Sequence, residues 1–305
     1  MIDRSTLRRR GAREKTRVAF VLSGGGSLGA VQVGMLQALT ETGIRPDRLI
    51  GTSVGAINAA WMAANPDHDG AMELGDIWMG MRRNNVFPLS PWAGARGLLG
   101  RSNHFISNTS LRTLLERHIP YTRLEDAAVP VHIITTELKT GRGVVLSSGP
   151  TIPALLASTA IPGVFPPVTV GRRDLIDGGV ANHTPVSTAI ELGATEIYVL
   201  PVGYPWMRKE PTNALSMALY ALARFVEQKL DAEVAMNRHR ADIHVMPTLE
   251  LPAVSPADFR HTGELISRGQ KWARRYLGSA ALQLRLERPP VSGAATFDPS
   301  PARAA

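Results

Sequence analysis

The stretch Leu49-Ile50-Gly51-Thr52-Ser53-Val54-Gly55-Ala56-Ile57-Asn58-Ala59-Ala60 decides how this chain is read. Arg48–Gly51 is a short apolar run of strand type, and Val54–Ala64 is an alanine-rich pattern of helix type closed by Asn65-Pro66. Only Thr52 and Ser53 separate the two. A strand that becomes a helix within two residues must turn sharply, and that turn lifts the central side chain clear of the sheet. Gly51 and Gly55 suit such a turn, because a side chain at either place collides with neighbouring strands. The free N–H groups and positive dipole end of the following helix then lie behind Ser53 and favour a negative oxygen beside it. Taken alone, five residues of the form G-x-S-x-G also arise by chance in Gly/Ser-rich loops.

Working outward, strand and helix patterns alternate. Val18–Leu22 reads as a strand and Leu28–Glu41 as a helix, with Val31, Met35, Leu36 and Leu39 at helical spacing and Gly43 at its end. Val131–Thr136 and Val144–Ser148 read as a hairpin turning at Gly141–Gly143. Ile152–Ser158 and Pro185–Leu192 are short helices, and Glu196–Val202 is a buried strand. Asn213–Arg240 is a long amphipathic helix, Ile243–Met246 a last strand and Pro256–Leu277 a last helix. Strands separated by helices predict an α/β fold whose central sheet is mostly parallel and sandwiched between helices.

Two further segments carry candidate chemistry. Ser23-Gly24-Gly25-Gly26-Ser27-Leu28-Gly29 follows the first strand and opens the first helix. Consecutive glycines let backbone N–H groups face a negative oxygen unobstructed, as an oxyanion hole requires. The same segment satisfies G-x-G-x-x-G, the dinucleotide fingerprint. That reading needs an acidic residue closing the second strand, whereas Asp47 precedes that strand and the strand runs into Ser53. A structural tight turn is the third option. Asp177-Gly178-Gly179 follows Leu175-Ile176 and places a carboxylate at a strand end among bare backbone; a plain Asp-Gly turn is the competing reading.

Together the three segments resemble the patatin-like phospholipase family. Its marks are a glycine-rich oxyanion loop, a G-x-S-x-G elbow about one helix later, and a D-G-[AG] motif far downstream. Ala157-Ser158-Thr159-Ala160-Ile161-Pro162-Gly163-Val164-Phe165-Pro166-Pro167 is similar to the segment that usually precedes the aspartate. The resemblance spans Val18 to Leu192. It implies a three-layer α/β/α fold and a lipid acyl hydrolase with a Ser–Asp dyad and no histidine. Ser53 would attack the ester carbonyl and Asp177 would take its proton. The N–H groups of Gly24, Gly25 and Gly26, with Ser27, would hold the oxyanion, while Gly29, Gly51, Gly55, Gly178 and Gly179 support the motifs. An ordinary aspartate, with a pKa of about 3.9, is a poor base for a hydroxyl, so the site must raise that pKa or lean on the oxyanion hole. Where the family often carries Arg or Lys in the glycine motif, this chain has Leu28. Backbone donors do not need that cation, but any phosphate contact it makes elsewhere is in doubt here.

Composition bounds the rest. The chain has 305 residues, 44% hydrophobic and 20% charged, as an ordinary globular protein has. It contains no cysteine, which excludes disulfides, thiolate zinc sites and cysteine nucleophiles. The formal charge of +8 suits an anionic partner, but Arg4, Arg8, Arg9, Arg10, Arg13, Lys15 and Arg17 concentrate much of it at one end. Without a basic run interleaved with aromatics, nucleic acid is not expected. No metal and no cofactor are expected either, and oligomeric state is not legible. Residues 1–16 and 281–305 read as disordered tails around a single α/β domain over 17–280, with a C-terminal helical extension over 205–280. The apolar run after Arg8-Arg9-Arg10 is too short for a signal peptide, and no window reaches about 18 apolar residues. The expectation is a cytoplasmic protein, touching a membrane at most peripherally.

Rival readings remain at this point. A Ser-His-Asp α/β-hydrolase has the order Ser, acid, His, which His183, His239, His244 and His261 permit. An esterase for soluble short-chain esters and a non-catalytic lipid-binding scaffold use the same residues differently. Phe87-Pro88-Leu89-Ser90-Pro91-Trp92 through Leu98-Leu99 is an apolar segment, either a lid or membrane edge or, as is commoner, packed on the core. The stripe Leu215, Leu219, Leu222, Phe225, Val226, Leu230 is expected to pack inward, with a dimer or membrane face as the alternative.

Overall fold

Alternating apolar residues on the short strands put side chains on both faces of one sheet, and both faces are buried. The computed structural model describes residues 16–88, 104–203, 214–248 and 254–286. The strands are β1 (Val18–Leu22), β2 (Arg48–Thr52), β3 (Val131–Glu137), β4 (Gly143–Leu146), β5 (Val168–Val170), β6 (Arg173–Asp177), β7 (Glu196–Leu200) and β8 (Asp242–Val245). Their order is β5-β6-β3-β2-β1-β7-β8, with β4 also on β3. The run β3-β2-β1-β7-β8 is parallel, and β4, β5 and β6 join antiparallel. The sheet is thus mostly parallel, as the alternation predicts.

Helices α1 (Ala30–Glu41), α2 (Val54–Ala64), α3 (His68–Gly80), α4 (Arg83–Val86), α5 (Thr109–His118), α6 (Thr151–Ser158), α7 (Val186–Glu191), α8 (Ala214–Asn237) and α9 (Thr262–Leu286) complete the described elements. One face of the sheet turns Phe20, Leu22, Leu49, Ile133, Tyr198 and Leu200 into a large core that includes residues of α1, α2, α3, α5, α6 and α9. The other turns Ala19, Val21, Ile50, Ile134, Ile197 and Val199 onto α7, with Leu230 of α8 packed against them. This is the expected three-layer sandwich.

Several boundaries differ from the sequence expectation. The first helix starts at Ala30, because Gly26–Gly29 forms a tight 3-10 turn. The last helix starts at Thr262, since the Pro256 carbonyl is committed to Ser27 rather than to a helical ladder. It also runs to Leu286, past the expected tail boundary at 280. The remainder of the expected tails, 1–15 and 287–305, lies outside the described residues, as does 89–103 of the apolar segment. α3, α5 and β5 have no counterpart in the periodicity reading.

α9 packs on α1 with backbones in contact. A Cβ on Gly34 would lie 2.0 Å from the Ile266 carbonyl oxygen, and one on Gly269 would lie 2.2 Å from that of Val31. These two glycines let the C-terminal helix close the large core. On the opposite face the expected inward stripe of α8 is only partly realised. Phe225 is 62% exposed, a correction to that expectation, while Leu230 packs inward; the side chains of Leu215, Leu219 and Leu222 lie outside the described residues. Among the described residues no helix is long and apolar enough to cross a membrane.

Candidate active site

Ser53 sits where β2 becomes α2, with φ 55° and ψ −124°. Among the described residues it alone is a non-glycine with positive φ. Such a conformation costs about 1–3 kcal/mol and persists only where surroundings fix it. The fixing is visible. The Ser53 N–H donates to Ser158 Oγ at 2.9 Å, and that hydroxyl donates to the Ile134 carbonyl at 2.6 Å. The Ser53 carbonyl accepts from Ala56 at 2.9 Å and begins the helix. A Cβ on Gly51 would lie 2.4 Å from the Gly55 oxygen, and one on Gly55 would lie 2.4 Å from the Leu22 oxygen. Both motif glycines are therefore demanded by backbone contact.

The Ser53 hydroxyl donates to Asp177 Oδ2 at 2.7 Å. Asp177 ends β6, and its other oxygen accepts from the Gly179 N–H at 2.7 Å. Its own N–H donates to the Ala160 carbonyl, and its carbonyl accepts from Thr136 Oγ1 at 2.9 Å. Gly178 is bare because a Cβ would lie 2.2 Å from the Ile134 oxygen. Burial raises the Asp177 pKa to about 6, against the opposing pull of the Ser53 and Gly179 hydrogen bonds. The carboxylate is thus a stronger base than an ordinary aspartate.

Strand register explains how residues far apart in sequence meet. Thr52 pairs with Ile134 of β3, and the next residue of β3, Thr135, pairs with Asp177. β3 therefore holds the end of β2 on one edge and the end of β6 on the other at the same level.

The glycine loop lies beside this pair. The ideal Cβ of Gly24 would be 3.2 Å from Ser53 Cβ and 3.1 Å from His183 Nε2. Gly25 has φ +150° and lies against Val202; Gly26 has φ +60° and lies against the Pro256 carbonyl. Among the described residues the N–H groups of Gly25 and Gly26 have no acceptor in the protein. Ser27 departs from the expectation of an oxyanion donor. Its N–H is spent on the Pro256 carbonyl at 2.7 Å and its hydroxyl on the Ser255 carbonyl at 3.1 Å, so it anchors the loop instead. Leu28 is fully buried in the large core and turns away from the site.

A buried amide network holds the loop. Gln32 of α1 donates to the carbonyls of Ser23 (2.8 Å) and Leu200 (2.9 Å). Asn58 of α2 donates to the Gly29 carbonyl (3.1 Å) and to Gln32 Oε1 (3.0 Å), and accepts from the Trp78 indole (2.9 Å). All three side chains are buried. Sequence reasoning missed them and Ser158 as well; two polar residues inside otherwise apolar helices were the available signal.

Two cavities meet at Ser53. One is lined almost wholly by apolar side chains, among them Ile57, Trp78, Leu111, Leu114, Phe165 and Phe259. Phe87 stacks on Phe165 there with ring centres 5.6 Å apart, so the start of the apolar segment packs inward. The other is wider and carries Gly24–Gly26, Ser53, Asp177 and His183 beside apolar side chains such as Ile161 and Val164. No imidazole stands between Ser53 and Asp177, whose contact is direct. His183 is nearby and buried, and burial together with the charge of Lys229 lowers its pKa to about 4, so it is neutral near pH 7. His244 pairs with Glu196 and His261 with Glu264, away from Ser53. β2 ends in Thr52 without the acid that a ribose contact needs. Among the described residues no three His, Cys, Asp or Glu side chains gather as a metal site.

The elbow, the aspartate and the glycine loop coincide with a known family. Residues 20–190 match the patatin-like phospholipase model, more than half of the chain, and the chain belongs to that family. Relatives include an NTE family protein of Mycobacterium tuberculosis, 31% identical over 56% of this chain and 27% of that protein. A lysophospholipase of Mycosarcoma maydis is 26% identical over 61% of this chain and 10% of that protein. The chain thus spans only a small part of these relatives' length. Human GIVD cytosolic phospholipase A2 shares the fold, with a TM-score of 0.52 and 12% identity over 88% of this chain and 60% of that structure.

Proposed function

We propose that this chain is a serine acyl hydrolase that cleaves lipid esters, phospholipids or lysophospholipids, through Ser53 and Asp177. The observation that carries the reading is the 2.7 Å hydrogen bond from the strained serine to a buried carboxylate of raised pKa. Asp177 takes the Ser53 proton as Oγ bonds to the ester carbon, and the carbonyl oxygen becomes an oxyanion. The N–H groups of Gly25 and Gly26, which have no acceptor among the described residues, stabilise that charge. As the tetrahedral species collapses, the bond to the alcohol breaks and Asp177 returns the proton to the leaving oxygen. Water then attacks the acyl-Ser53 ester and gives its proton to Asp177; the bond from Oγ to the acyl carbon breaks, Asp177 returns that proton to Ser53, and the fatty acid leaves.

The apolar cavity beside Ser53 favours a long acyl chain over the short esters of a soluble-substrate esterase, and the wider cavity receives the leaving group. The lysophospholipase named among the relatives is consistent with this class. The substrate is met from one side of a lipid surface by a cytoplasmic protein. A fluorophosphonate probe tests the reading: it labels Ser53 in the native protein and not in Ser53→Ala, and Ser53→Ala loses hydrolysis of a lipid panel while keeping its thermal unfolding profile. A wild-type chain that neither labels nor turns over is a scaffold, and the proposal fails.

A further inference from the structure

The two cavities at Ser53 differ in charge as well as in polarity. The apolar arm is lined by no ionisable side chain among the described residues. The wider arm is lined by Asp177, by the neutral His183 and by one cation among the described residues, Arg83. Arg83 is the first residue of α4 and is exposed. It also lines a neighbouring surface cavity that carries Arg82 and Arg260.

These three arginines are not equivalent. Arg260 is bound to Asp258 at 2.7 Å. Arg82 donates to the carbonyls of Met79 (3.0 Å) and Met81 (2.9 Å). The guanidinium of Arg83 has no partner among the described residues. It alone borders the cavity that holds the reactive serine. A guanidinium presents paired donors in a plane that match the oxygens of a phosphate. An anion entering this arm meets the Asp177 carboxylate, and Arg83, without a counter-ion among the described residues, offsets that repulsion.

We infer that Arg83 is the head-group determinant of this site: it binds the phosphate of a phospholipid or lysophospholipid whose acyl chain occupies the apolar arm. This rests on the hydrolase reading above and assigns the side chain that selects the phosphate. Arg83 touches no reacting atom in this role. The phosphate contact is the same in the bound substrate and in the transition state, so it acts on KM rather than on kcat.

The test compares Arg83→Gln with wild type on two substrates of equal acyl chain, lysophosphatidylglycerol and monoacylglycerol, in the same neutral detergent micelles. The expected result is a loss of about tenfold in kcat/KM for the lysophospholipid, carried by KM, with the monoacylglycerol rate unchanged. Arg83→Lys restores part of the loss, and added salt narrows the wild-type preference. Unchanged thermal unfolding of Arg83→Gln shows that the fold is intact. Equal losses on both substrates, or no loss on the phosphate-bearing one, overturn the inference while leaving the hydrolase reading standing. Failure of the wild type to cleave either substrate removes both.

Discussion

The corner formed by Ser53 and Asp177 and the loop formed by Gly24–Gly26 lie side by side and are built in opposite ways. At the corner the polar groups are committed: the Ser53 amide to Ser158, its hydroxyl to Asp177, and the carboxylate to Gly179. In the loop the amides of Gly25 and Gly26 have no acceptor among the described residues, while the flanking carbonyls of Ser23 and Gly29 and the Ser27 amide are tied to Gln32, Asn58 and Pro256. In the proposed reaction the first arrangement fixes the nucleophile before any substrate arrives. In the same proposed reaction the second keeps donors in reserve for a charge that exists only during turnover. A site of this kind needs both, because a donor already satisfied by the protein stabilises nothing new in the transition state.

Breaking the committed half should have the largest effect. Asp177→Asn removes the base, and a fall of about 10³-fold or more in kcat is expected. The same substitution should stabilise the fold near pH 8. Asp177 titrates near 6 when folded against an ordinary 3.8, so the folded chain holds that proton more tightly. Stability therefore falls as pH rises from about 4 to about 6, by roughly 3 kcal/mol, and the asparagine escapes this. Thermal unfolding at pH 8 and pH 4 checks it: the advantage of Asp177→Asn should be present at the first and shrink at the second. A variant less stable than wild type at pH 8 would contradict the buried-charge account.

Breaking the uncommitted half comes next. Gly25→Ala places a Cβ 2.4 Å from Val202 at a φ of +150° and tilts the free amides. Its kcat should drop by about 10²-fold, whereas binding of a non-hydrolysable long-chain ether analogue of the substrate should survive. A smaller effect follows from pH alone. The base form of Asp177 is lost as pH falls through about 6, so log kcat/KM should decline with unit slope below that value, about tenfold per pH unit. A profile flat down to pH 4.5 would mean that the carboxylate is not the titrating base. Least of all, Ser158→Ala frees the strained Ser53 amide and should lower kcat by about fivefold, with a loss of about 1–3 kcal/mol in stability. Urea unfolding and steady-state kinetics on one substrate read both.

Much of the sandwich was legible because its signals are local. The Val18–Leu22 run, the elbow at Ser53 and the Asp-Gly-Gly turn each declare themselves within a few residues, and their order along the chain supplied the rest. Partnerships across space were not legible. Ser158 stands in a segment that already looked familiar, yet its role depends on reaching the elbow amide and the β3 carbonyl at once. Ser27 looked like a donor because of its place in the motif. Its commitment to the loop at Ser255–Pro256, more than two hundred residues away, leaves no trace in the motif itself. Phe225 fits a helical stripe, but periodicity cannot say which side of a helix meets protein.

The pairing along β3 has a further consequence. Because Ile134 and Thr135 are neighbours in one strand, the gap between nucleophile and base is gauged by a single peptide step. Of the excursions that leave and re-enter the sheet between residues 53 and 131, and again between 137 and 173, α2 and the Ser158–Ala160 stretch bear on that measurement, through the Ser53 and Asp177 amides. Insertions or replacements elsewhere in those excursions can remodel the two cavities while the Ser53–Asp177 distance stays constant, so selectivity and the proposed chemistry are free to evolve on separate stretches of the same chain.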